Sequence, residues 1–477
     1  MKPAEVTYAR RLGLFSATLL VVGGIIGSGI FLNPAVVAQR VGTPTLTLAV
    51  WGLGAVIAIL GAFIFAELGA RAPAAGGGYA YLRDAFGRLP AFLYGWALLL
   101  AIASGATAAV AVTFANYAVP LLGLPLGSER PLAIVAIAIF SLINILGVAP
   151  GAMVQNGFTL LKLAAIAGLV IAGLLLTGDA ASVNAAAGLA SAAAATADSV
   201  VAAGGSAMVL PAPAGFSEVS KALSTALVPV LFAYGGWQQT NFVAEEIVEP
   251  SRNLPRALII GVLIVAATYL LVNVTYLETL GVEGLARSTA PAADAMGARF
   301  GPIGRTLIAA GIAISTAGFL NVVILVTPRV YQAMARDGLF FRSLAKLHPR
   351  TRTPVLAIAL QGAWSIALVL LGGYGALLDW VTFADWIFFG ATAATLLVYR
   401  ARGARAADAG DGGSPTFRAP LHPVSTLLFL AAAAYVVYGA IISNPGNAMR
   451  GALVLLAGVP VFLWWSRQSD TGARPGA

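Results

Sequence analysis

The chain has 477 residues, 59% of them hydrophobic and only 10% charged, and its mean hydropathy is +0.88. That composition excludes an ordinary water-soluble domain and points to a protein of many membrane spans, each needing about 20 apolar residues. Without cysteine, and with just two histidines, His348 and His422, each beside a proline, it excludes disulfides, thiol chemistry and a His/Cys metal centre, and it implies no cofactor.

Twelve apolar runs are long enough to be candidate spans, near 14–40, 43–69, 90–122, 131–148, 154–177, 222–246, 256–280, 303–335, 354–371, 376–399, 423–443 and 448–465. The formal charge of +9 would suit a nucleic-acid binder, but its distribution does not. With the N-terminus inside, the 28 Lys and Arg divide as 20 on the cytoplasmic side, 7 outside and one, Lys162, within a span. This is the positive-inside pattern, and it predicts a multi-pass protein of the plasma (inner) membrane with both termini cytoplasmic. Basic loops such as Arg336–Arg352 then need no partner beyond membrane lipid.

In chain order, a short basic tail (1–12) precedes the first run. That run holds four glycines and a serine between Gly23 and Gly29. Each Gly costs a helix roughly 1 kcal/mol relative to Ala, so a plain anchor has no use for the cluster. Two readings fit: close packing of another helix, or a helix broken at mid-bilayer, whose free N–H groups and positive dipole end would take an anionic solute group. The second run ends at Glu67, and the Gly-rich stretch after it (Pro73–Tyr79) lacks the strand and Lys-Ser/Thr of a phosphate loop. It reads as an interfacial hairpin closing the cytoplasmic side.

Lys162 lies mid-run, too deep to snorkel easily, where a charge costs at least about 2.5–3.5 kcal/mol on insertion scales. The Ala-rich segment 178–216 is predicted to be an outside loop without a function of its own. The run 222–246 is interrupted by Gly235-Gly236, and Gln238, Gln239 and Asn241 follow within a few residues. Its inner end, Glu245-Glu246, is predicted to be a surface carboxylate pair bonding Arg252 and Arg256. Five spans separate the starts of the two interrupted runs. An odd number per repeat inverts the second copy, and interrupted helices in matching positions of inverted halves point to a midplane transport site. Residues 13–177 and 217–399 are therefore predicted as the two repeats, with 400–466 adding a loop and two spans and 467–477 a cytoplasmic tail.

The motifs Gly24-Ile25-Ile26-Gly27-Ser28-Gly29-Ile30-Phe31, Phe232-Ala233-Tyr234-Gly235-Gly236-Trp237, the Glu245–Pro255 loop and Pro328–Gly338 together resemble the amino acid–polyamine–organocation superfamily, most closely its L-type amino acid transporter branch. The resemblance implies an all-α, LeuT-type fold of ten core helices in a 5+5 inverted repeat plus two more. It implies that N–H groups around Gly27, Ser28 and Gly29 take a substrate carboxylate. Carbonyls of Ile25, Phe232 and Gly235 would take the ammonium, and the Phe232 ring, if not mere packing, would act as a gate.

The resemblance also brings Ala233, Gln238 and Asn321 to the substrate site. Gln238 stands where many eukaryotic relatives have Asn, so it bears on pocket shape; Asn321 either faces the pocket or ties two helices. Lys162 stands where other members bind sodium, and is predicted to bond a carbonyl near Gly24 and the Ser315 hydroxyl, as a structural tie, a coupling element or both. Apart from Glu245-Glu246 at the cytoplasmic end and Asp379 and Asp385 around the tenth span, no acidic residue is well placed for a cationic substrate, so a neutral amino acid is expected. Without cysteine no disulfide-linked heavy subunit is expected either. The function implied is sodium-independent transport by alternating access, through exchange or proton symport. A membrane enzyme lacks a nucleophile–base pair or metal cluster here, and a transporter-like sensor would carry a soluble domain that the twelve residues after Trp465 do not supply.

Overall fold

Helices account for the regular structure of the described residues, apart from one isolated parallel bridge between Leu12 and Ile247. The structure is a computed structural model and describes residues 6–175, 215–371, 374–408, 417–443 and 445–471. Eight of the described helices are long and apolar enough to cross a membrane, or nine if the bent pair Leu14–Ile25 and Gly29–Val41 is one span. The other three expected runs are helical too: Glu129–Ile145 and Val355–Leu371, of 17 residues each, and Tyr374–Asp408. The Ala-rich loop expected at 178–216 lies outside the described residues but for its last two. At the other end, the helix Pro445–Thr471 continues through the first residues of the expected tail 467–477.

Both glycine clusters break their helices. The first helix stops at Ile25 and resumes at Gly29 with a bend of 42°. The second stops at Tyr234, and Gly235 is extended (φ −66°, ψ 160°) while Gly236 is left-handed (φ 110°). The chain then continues in 3₁₀ turns over Trp237–Glu246, interrupted by a kink at Val243 (φ −103°, ψ 20°). The breaks meet. A Cβ built on Gly236 would lie 2.1 Å from the carbonyl oxygen of Gly24, so only glycine fits, for its conformation and for its bulk.

Other glycines do what small residues usually do in membranes, letting backbones approach. Gly54, Gly61 and Gly69 form a stripe along the helix Pro44–Arg71. A side chain there would strike Val230, Trp237 and Leu254 respectively. That stripe seats the second broken helix, and Trp237 fills the space it leaves, edge-on to Phe65 at 4.8 Å. The segment just before the first helix is pinned to the far end of the second break. Arg11 and Leu12 donate their N–H groups to the Glu246 carbonyl, both at 2.9 Å, and Leu12 accepts from Val248.

Candidate functional site

The two breaks wall one cavity of about 120 Å³, well under the ~300–1,000 Å³ of sites for drug-sized ligands. Ile25, Gly27, Ser28 and Gly29 line it from the first break; Phe232, Ala233, Gly235 and Gln238 line it from the second. A π-helical turn, Leu98–Ile102, adds Leu98 and Ile102, and the helix Tyr374–Asp408 adds Trp386 and Phe389. The Phe232 side is 37% exposed, toward the cavity that it lines. Gln238 is buried and folds back, accepting from the N–H of Gly236 at 3.1 Å, so its extra length braces the break.

The backbone groups are not all free. The Gly27 N–H is spent on the Ile25 carbonyl at 2.9 Å, which also lies 3.2 Å from the Tyr269 hydroxyl, whose single proton is shared with a second carbonyl. The Phe232 carbonyl accepts from Gly235 N–H at 3.1 Å and keeps one lone pair. By contrast, among the described residues no backbone bond outside the helices takes the N–H of Ser28 or Gly29. Gly29 opens a helix, where the first N–H groups lack intrahelical partners. Donors at this site therefore centre on Ser28 and Gly29 rather than Gly27, and the Ile25 carbonyl already takes one full hydrogen bond and a share of another. Tyr269, absent from the sequence reading, stitches the breaks together: its hydroxyl is also 3.1 Å from the Ala233 carbonyl.

Lys162 stands behind the first break, fully buried. Its ammonium has three N–H donors and meets three carbonyls, Ile26 at 2.6 Å, Ser315 at 3.1 Å and Gly23 at 3.3 Å. The expected partner on Ser315 was the hydroxyl; the backbone carbonyl takes that place because the hydroxyl itself faces Ile26 and Gly27 carbonyls, at 3.3 and 3.2 Å. Gly24 is not a partner; it packs on Gly236. Asn321 does not line the cavity. It donates to Gly151 and Gln155 and accepts from Asn144, all within 3.1 Å, and so ties helices on the side away from the site.

Asp385 is the opposite case. Left on sequence as one of a few acidic exceptions, it lines the cavity and is the only charged side chain there among the described residues. The signal was present, since an ionisable residue inside an apolar run marks a functional position by default.

Below the cavity the predicted pairing of Glu245-Glu246 with Arg252 and Arg256 does not form. Glu249 takes a left-handed conformation that turns the chain into the next helix, and Arg252 pairs weakly with it at 3.7 Å on the surface. Glu246 instead forms a buried ion pair with Arg329, Nε to Oε1 at 2.7 Å, beneath the ring of Tyr8. Burial pushes the Tyr8 hydroxyl pKa up, so the ring stays neutral over that pair. Glu245 accepts from Ala75 N–H at 3.0 Å, which holds the Gly-rich hairpin to the second break. Removing one partner of a buried pair costs about 3–5 kcal/mol. Glu246→Ala and Arg329→Ala are each expected to lower the melting temperature in detergent sharply. The double variant is expected to lose less than their sum, and simple additivity in that cycle would show the pair to be uncoupled.

A model of the family described as amino acid permease matches residues 12–465. The chain is 32% identical over 407 residues to b(0,+)-type amino acid transporter 1 of Oryctolagus cuniculus, covering 84% of this chain and 78% of that protein. It is 30% identical over 473 residues to the large neutral amino acids transporter small subunit 2 of Rattus norvegicus, covering 97% and 82%. The serine/threonine exchanger SteT of Bacillus subtilis (strain 168) is 30% identical over 464 residues, 95% of this chain and 96% of the relative.

Proposed function

This chain belongs to the amino acid permease family, and from that premise we propose that it carries neutral L-amino acids across the plasma (inner) membrane by alternating access, exchanging one for another. It is an amino acid transporter and not an enzyme. The relatives whose names specify large neutral amino acids or serine/threonine exchange support both the substrate class and the exchange mode. In this reading the two breaks belong to inverted repeats, 13–177 and 217–399, of a twelve-span LeuT-type fold with both termini cytoplasmic. The transporter works without a disulfide-linked heavy subunit, for which this chain has no cysteine.

One observation carries the reading: the two breaks meet at one small cavity, with the N–H groups of Ser28 and Gly29 at its wall. Those groups, at the positive end of the helix Gly29–Val41, suit an α-carboxylate. The spare lone pair of the Phe232 carbonyl and the Gly235 carbonyl suit the α-ammonium. Backbone recognition of both α-groups leaves the side chain to the remaining walls. Purified protein in proteoliposomes preloaded with an amino acid is therefore expected to take up free labelled amino acids, whereas their amides and N-acetyl derivatives compete at least about 10-fold less well, about 1.4 kcal/mol. Equal competition by either derivative would remove the backbone site from the mechanism.

A further inference from the structure

The cavity has an acceptor-rich patch that the α-groups of a substrate do not use. Asp385 shares one wall with Trp386 and Phe389, and Gln239 lies on the 3₁₀ segment after the second break. Among the described residues no hydrogen bond or ion pair involves the Asp385 carboxyl, and the cavity has no basic side chain to answer it. The Gln239 Oε1 is buried and has no partner either. Among the described residues the buried carboxylates Glu67 and Glu246 are answered by basic side chains, Glu67 by Arg400 and Arg71 and Glu246 by Arg329. Asp385 faces the cavity without a basic partner, and a buried amide oxygen without a donor carries a desolvation cost that a ligand's donor would relieve.

We infer that Asp385 and Gln239 read the substrate side chain, and that this side chain carries a hydrogen-bond donor, a hydroxyl or an ammonium. The inference rests on the transport reading above and sharpens its substrate class: a hydroxyl stays within the neutral amino acids, and an ammonium extends the class to cationic ones. The free N–H groups of Ser28 and Gly29 hold the α-carboxylate, which leaves the side chain to the wall that carries these acceptors. A site built to bond a donor rejects the shape-matched analogue that lacks it, because its own buried acceptors are then left bare.

The test is uptake by proteoliposomes of full-length protein, with two near-isosteric pairs: threonine against valine, and lysine against norleucine. The donor-bearing member of at least one pair is expected to win by about 10-fold or more. In Asp385→Leu that ratio falls toward one while uptake of valine or norleucine persists. Asp385→Asn keeps an acceptor and loses the charge, so a lysine preference collapses in it and a threonine preference survives, which tells the two donors apart. A ratio near one in the wild type, or an unchanged ratio in Asp385→Leu, overturns the inference and leaves the transport reading standing. Equal loss of both members of a pair in Asp385→Leu overturns it as well and moves Asp385 to the α-ammonium. No uptake of any of the four by the wild type overturns both readings. Should Asp385→Leu fail to fold, Gln239→Leu decides: a lowered ratio supports the inference, an unchanged one overturns it.

Discussion

Gly236→Ala is expected to cut substrate affinity by about 10- to 100-fold while leaving a folded protein in the membrane. Two costs add. The left-handed backbone at this position, φ 110°, strains any residue with a Cβ by about 1–3 kcal/mol. The methyl would also sit 2.1 Å from the Gly24 carbonyl oxygen, and backbone cannot step aside as a flexible side chain would. The breaks must then separate, which moves Ser28 and Gly29 away from Phe232 and Gly235. Gly168→Ala is the control: nothing lies within 4 Å of its Cβ and it sits inside an ordinary helix, so affinity should not change. Ligand-induced thermal stabilisation of the purified variants measures the difference. Wild-type affinity in Gly236→Ala would mean that the crossing of the two breaks does not shape the site.

Both breaks were legible in the sequence because glycine leaves a local signature: a helix cannot run through Gly23–Gly29 or Gly235-Gly236 without loss. Lys162 was legible for a related reason, since a lone charge in an apolar run must find acceptors. What could not be read was the identity of partners distant in the chain. Glu246 finds Arg329, 83 residues away, because the turn at Glu249 carries the nearer Arg252 to the surface. Tyr269 and the Ile25 carbonyl are 244 residues apart, and no local pattern joins them. Asn321 had two open readings, and only the packing of Asn144 and Gln155 against it turns the amide from the cavity. Asp385 could be named but not placed, for a different reason: the register of its helix decides whether a carboxyl meets lipid, protein or cavity, and helix periodicity is weak in a run that is apolar all round.

Lys162→Ala is expected to slow exchange by about 10- to 100-fold and to raise the apparent KM much less. The variant takes a donor from three buried carbonyls; that of Ile26 keeps the Ser315 hydroxyl and that of Ser315 its place inside a helix, so the Gly23 carbonyl is the one left stranded, at about 1–3 kcal/mol. None of the three lines the cavity, so the direct contacts to substrate remain. What loosens is the joint between the first break and the helices that carry Lys162 and Ser315, and alternating access needs that joint to move as a unit. The same geometry argues against a sodium requirement. The oxygens that would bind a cation here already face an ammonium, and a second positive charge would be repelled at close range in a low-dielectric site. Replacing sodium by choline should therefore leave wild-type exchange unchanged. A wild-type rate that tracks an imposed pH gradient, with that dependence lost in Lys162→Ala, would assign proton coupling to Lys162, whereas a rate indifferent to the gradient would leave it a fixed tie in an exchanger. A wild-type rate that collapses without sodium, or a Lys162→Ala rate equal to wild type, would take Lys162 out of the transport cycle and leave it a structural tie.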